Sequence, residues 1–83
     1  MRYLFMCRSL TYAQRAARAL ERAGISASVI KAPQSVSGSG CGYCVSVSGG
    51  RENRAAQILR NDNLLQGKIY LMDTDSELRE VFL

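Results

Sequence analysis

The stretch that decides the fold is Cys41-Gly42-Tyr43-Cys44-Val45-Ser46-Val47-Ser48. Within it Tyr43, Val45 and Val47 alternate with Cys44, Ser46 and Ser48. That period-two pattern predicts a strand over Tyr43–Val47, in an antiparallel sheet with one buried face. Gly49-Gly50 breaks the strand on one side. On the other side lies Ser35-Val36-Ser37-Gly38-Ser39-Gly40, a loop of small residues that leads straight into Cys41.

Working outward, residues 2–7 are apolar and rich in β-formers, and they read as a first strand. Thr11 and Gln14 stand in capping-box spacing at the head of a first helix. Ala13, Ala16, Ala17, Leu20 and Ala23 recur at helical spacing, and Gly24 is the expected stop. A second strand spans about Ala27 to Lys31, ended by Pro33. Beyond Gly50 a second helix covers about Arg51–Asn61, with Ala55, Ile58 and Leu59 facing inward. Gly67 opens a fourth strand, Lys68–Met72. Thr74 and Glu77 suggest one more capping box, for a short C-terminal helix carrying Leu78, Val81, Phe82 and Leu83.

The order strand-helix-strand-strand-helix-strand points to an α+β, ferredoxin-like βαββαβ sandwich. Its antiparallel sheet has spatial order 4-1-3-2, with both helices on one face. The 83 residues are read as a single domain, 1–83. Such a chain buries only about 60–65% of its unfolded surface, which leaves no room for an elaborate pocket. No run reaches the roughly 18 apolar residues of a membrane span, and the N-terminus lacks signal-peptide features. A cytoplasmic protein is expected.

Three cysteines are an odd number for a disulfide framework, and free thiols are expected in a reducing compartment. The absence of histidine excludes Cys-His nucleophile activation and His-ligated metals. Three thiols also fall short of the four ligands of a structural zinc or an iron–sulfur cluster within one chain, so neither metal nor cofactor is expected. The formal net charge of +4 is concentrated early. Arg2, Arg8, Arg15, Arg18, Arg22 and Lys31 face Glu21 alone in residues 1–31.

The predicted topology ends the first strand, begins the first helix and begins the third strand at one edge of the sheet. Cys7, Cys41 and Cys44 should therefore converge there, with Arg8 beside the helix start. A helix N-terminus favours an anion by roughly 0.3–1 kcal/mol, which lowers a thiol pKa by less than about one unit. From a free value near 8.5, most of the thiol stays protonated at neutral pH, so the thiol is only moderately activated. Cys41 sits between two glycines and has no packing role to explain it. Cys7 continues an apolar strand and reads as a small core residue. Cys41-Gly42-Tyr43-Cys44 is also a C-x-x-C, a weak signal because a strand and not a helix follows it. Reversible Cys41–Cys44 or Cys7–Cys44 disulfides stay open on the sequence alone.

These elements resemble the selenium/sulfur carrier-like family of small bacterial proteins, a domain of unknown function. The resemblance rests on Tyr3–Met6, Ser9, Ala13 to Leu20, Ala23-Gly24-Ile25, Pro33, Ser35 to Ser39 and Cys41-Gly42. It covers about residues 3–72, and the ordered Pro…Ser…Cys-Gly sequence is its sharpest part. The resemblance implies that Cys41 holds sulfur or selenium as a persulfide or selenosulfide, and that Gly42 lets a partner approach it. Arg8 would stabilise the thiolate, and Cys44 would be an auxiliary or resolving thiol. Cys7 and Cys44 are extras against the family pattern. Arg8 stands where relatives tend to carry proline, and Ala17 where an acidic residue is common.

The partners implied are a sulfur or selenium donor, such as a cysteine desulfurase, and an acceptor protein. An enzyme in the ordinary sense is not expected, because no general base or phosphate loop is visible. Two other readings compete. One is a binding module: Arg15, Arg18 and Arg22 form an outward stripe, and strands one and four are apolar on both sides. An apolar open sheet face favours protein–protein contact, as a homodimer through the sheets, over RNA. The other is a redox switch using the Cys41/Cys44 pair.

Overall fold

The computed structural model describes residues 1–32, 42–65, 67–75 and 77–83. Among them are β1 (Arg2–Cys7), α1 (Leu10–Arg22), β2 (Ala27–Lys31), β3 (Tyr43–Ser48), α2 (Glu52–Asn61), β4 (Ile69–Met72) and β5 (Leu78–Val81). The strands form one sheet of order β2-β3-β1-β4-β5, and every neighbouring pair is antiparallel. The first four strands thus stand in the expected 4-1-3-2 order.

One element differs in kind. Residues 78–81 are a strand, not the expected C-terminal helix. Asp73, not Thr74, organises the turn: its Oδ1 accepts from the backbone N–H of Asp75 at 2.9 Å and of Glu77 at 3.1 Å. That folds the chain back so that Met72 faces Leu78 and Ile69 faces Val81. Pairing supplies partners for the outer edge of β4 and packs Val81 against the core. A lone terminal turn of helix offers neither.

The register separates two faces. Phe5, Val45, Val47 and Ile69 share one face and meet Ala13, Ala16 and Leu20 of α1 and Ala55 and Leu59 of α2 in a single core. Small side chains on α1 let the helix lie close to the sheet. Leu4, Met6, Cys44, Ser46, Ile30 and Tyr70 share the opposite face.

That second face is drier than the alternation in β3 suggests. Leu4 and Cys44 are 0% exposed and Ser46 only 3%. β3 is an interior strand, so its short side chains lie below longer neighbours on β1 and β2. Arg2 lies across Ser46, its Nε donating to Ser46 Oγ, its Nη2 to the Ser46 carbonyl at 3.3 Å and its Nη1 to Ser48 Oγ at 3.2 Å.

Helix ends follow local chemistry. The cap of α1 is Ser9, with φ −154° and ψ 170°, and its side chain accepts from Tyr12 N–H at 3.4 Å. The expected Thr11 box is therefore displaced: Thr11 lies one residue inside the helix, because the extended chain leaving β1 places Ser9 first. At the other end Gly24 takes φ +84°, Gly24 N–H donates to the Glu21 carbonyl at 3.0 Å and Ile25 N–H to the Leu20 carbonyl at 2.9 Å. This is a Schellman motif, and its hydrophobic pair Leu20 and Ile25 is buried. α2 ends the same way with Asn63 at φ +60°, where Leu64 N–H reaches the Leu59 carbonyl at 2.7 Å.

Candidate functional site

One rim of the sheet gathers the elements the sequence points to. Antiparallel register brings the end of β1 against the start of β3, with Cys7 facing Tyr43 and Met6 facing Cys44. The Gly42 carbonyl accepts from Ala32 N–H at 2.9 Å, which fixes Gly42 at the mouth of the β2–β3 pair. Arg8 and the Ser9 cap of α1 follow β1 at this same rim. Cys7, Cys44, Gly42 and Arg8 are thus brought to one end of the molecule. Cys41 lies outside the described residues.

The two described thiols are free but closed off. Cys7 belongs to the helix-side core, where its Sγ donates to the Phe5 carbonyl at 3.5 Å. Burial pushes the Cys7 thiol up from 9.0 to about 11. Cys44, between its register partners Met6 and Ile30, has no exposed surface. Burial, and then the like charge of nearby Cys7, push its thiol up from 9.0 to about 11. At pH 7 a thiol of that pKa is ionised in roughly one molecule in ten thousand. A buried, protonated thiol is a poor nucleophile.

Their register also sets them apart. Residues facing each other across an antiparallel pair share a face, and neighbours along a strand alternate. Cys7 shares Tyr43's face and Cys44 shares Met6's, so the two sulfurs project from opposite sides of the sheet. A Cys7–Cys44 disulfide requires one strand to turn over.

Arg8, expected beside a thiolate, directs its guanidinium to an aromatic ring: Cζ lies 5.7 Å from the Tyr12 ring centroid. Arg15 approaches the same ring at 5.8 Å. These three residues, with Asp62 and Asn63, line a cleft of about 550 Å³ at the rim. Sequence reasoning did not single out Tyr12, Asp62 or Asn63. The Asn61-Asp62-Asn63 run was a legible signal, because asparagine after a helix readily takes the left-handed conformation.

A family model described as "Putative Se/S carrier protein-like" matches residues 2–71. The chain belongs to that family. The match to the carrier-like family contains all three cysteines and runs from the start of β1 to Leu71 in β4. The Asp73 turn and β5 lie beyond it. No curated protein and no solved structure matches the chain. Among the described residues no group of three or more Cys, Asp or Glu side chains could hold a metal ion. Nor is any helix among them long and apolar enough to cross a membrane.

Proposed function

We propose that this protein carries sulfur or selenium on Cys41, as a persulfide or selenosulfide, between a donor and an acceptor protein. It does so on a ferredoxin-like core to which β5 adds an edge strand. Family membership supports the cargo class. The observation that carries the choice of residue is the state of the other two thiols. Cys7 and Cys44 are buried and protonated, so the folded chain has one cysteine left for the task.

The chemistry is an exchange at the same oxidation level. The Cys41 thiolate attacks the terminal sulfur of a persulfide on the donor. A new S–S bond forms at Cys41, the donor's S–S bond breaks, and the donor cysteine leaves as a thiolate that takes up the proton lost by Cys41. Delivery to an acceptor thiol or other nucleophile runs the same step with the carrier as donor. Gly42, bonded to Cys41, has no side chain to obstruct a partner, and it is anchored by the Ala32 hydrogen bond. No general base or metal takes part, and the protein is a carrier and not an enzyme.

Incubation with a cysteine desulfurase and cysteine, followed by intact mass and peptide mapping, tests this reading. One added sulfur confined to Cys41 is expected. It should be lost in Cys41→Ser and kept in Cys44→Ala. No adduct, or equal labelling of all three thiols, would overturn it. A disulfide switch would instead lose function in either variant.

A second reading concerns assembly. Met6, Ile30, Tyr70, Met72 and Leu78 are half-buried on the face away from the helices. A row of that kind suits a homodimer through the open sheet faces. Sedimentation equilibrium should show a dimer that Tyr70→Lys dissociates; a concentration-independent monomer would rule it out.

A further inference from the structure

We propose that the rim cleft between the first turns of α1 and the end of α2 binds a phosphate monoester. Its phosphoryl group would be held by Arg8 and Arg15. The inference is independent of sulfur carriage.

Arg8 and Arg15 each approach the Tyr12 ring, at 5.7 Å and 5.8 Å from its centroid, and all three residues line the cleft. Two guanidiniums lining one cleft give it a positive potential, and an anion bound there gains charge-assisted hydrogen bonds. Neither guanidinium has a carboxylate partner: the ion pair among the described residues is Lys68–Glu80, at 3.8 Å. The first turn of α1 carries no acidic residue, so the positive end of the helix is not offset there.

Shape and the residues supplied by the end of α2 narrow the ligand. A cleft of about 550 Å³ is far larger than a bare phosphate and suits a small phosphorylated molecule. Asp62 and Asn63, at the end of α2, also line it. A carboxylate repels free phosphate but accepts hydrogen bonds from hydroxyl or amine groups, and Asn63 both donates and accepts. The left-handed backbone of Asn63, φ +60°, is fixed by the end of α2, so this wall is built before any ligand arrives. Two guanidiniums recognise a phosphoryl group, and a polar wall recognises the organic part attached to it.

The test is an amide chemical-shift titration of the Cys41→Ser variant, so that sulfur loading plays no part. Glycerol phosphate, inorganic phosphate and chloride are compared at matched ionic strength. Saturable shifts around Tyr12 and Asn63 are expected with glycerol phosphate, weaker ones with inorganic phosphate and none with chloride. Arg15→Gln should lower the affinity about tenfold or more. Arg18→Gln, which removes an equal charge from the same helix outside the cleft, should leave it within about twofold of the parent. Equal shifts with chloride would overturn the proposal. Unchanged affinity in Arg15→Gln, or an equal loss in Arg18→Gln, would do the same. Inorganic phosphate binding as tightly as the ester would remove the assignment of a monoester.

Discussion

Cys44 shows how one side chain is silenced by its surroundings. It has 0% exposure, between Met6 and Ile30, and a thiol raised to about 11 by burial and by Cys7. Native protein treated with iodoacetamide at pH 8 should therefore keep Cys7 and Cys44 unmodified until denaturant is added. Fast modification of Cys44 in the native state would contradict the structure. The raised values also set a pH dependence. A thiol whose pKa rises on folding contributes stability in its protonated form, in full below the unfolded value and lost as pH climbs through the folded one. Denaturant midpoints should fall between pH 9.0 and about 11, and fall less steeply in Cys44→Ala than in wild type. The sequence marked Cys7 as a core residue through its apolar strand. It gave no such mark for Cys44, because burial on the second face comes from neighbours on β1 and β2.

At the scale of elements, short polar signals set the boundaries and apolar spacing set the kinds. The alanine repeat of α1 was legible because Ala13, Ala16, Ala17 and Leu20 are all buried. Its start was not, since Ser9 and Thr11 are both plausible caps and only the path out of β1 selects Ser9. Ser9→Ala should cost about 0.5–1 kcal/mol, the lower part of the range for caps, as its hydrogen bond to Tyr12 N–H is long at 3.4 Å. Urea unfolding of that variant beside Thr11→Ala checks the choice, with the larger loss expected at Ser9. Gly67 is a second such position. A Cβ there would sit 3.1 Å from both Met6 Cβ and the Met6 carbonyl oxygen, just where β1 and β4 begin to pair. Gly67→Ala should lower Tm, and Gly67→Val should lower it further.

For the molecule as a whole, β5 is the addition that matters. It lies beyond the carrier-like family match, which ends at residue 71, and it turns β4 from an edge strand into an interior one. Removing residues 73–83 should leave a folded four-stranded unit with a lower Tm, since Val81 and Leu83 leave the core's margin and the β4 edge loses its partner. Calorimetry and sedimentation of the truncated chain provide the check; a Tm equal to wild type would show that β5 contributes nothing to the fold. By itself the sequence determined what nearest-neighbour chemistry encodes: two helices, the first four strands, their 4-1-3-2 order and a rim that collects Cys7, Gly42 and Cys44. Tertiary structure alone decided the rest. Leu78 and Val81 suit a strand or a helix equally, and the open edge of β4 makes the strand the better choice. Cys44 and Ser46 are small and polar-looking in sequence, and only the side chains laid over them from adjacent strands withdraw them from water. Asp62 is far along the chain from Arg8 and Arg15, and a shared cleft exists only once α1 and α2 are packed on one face of the sheet.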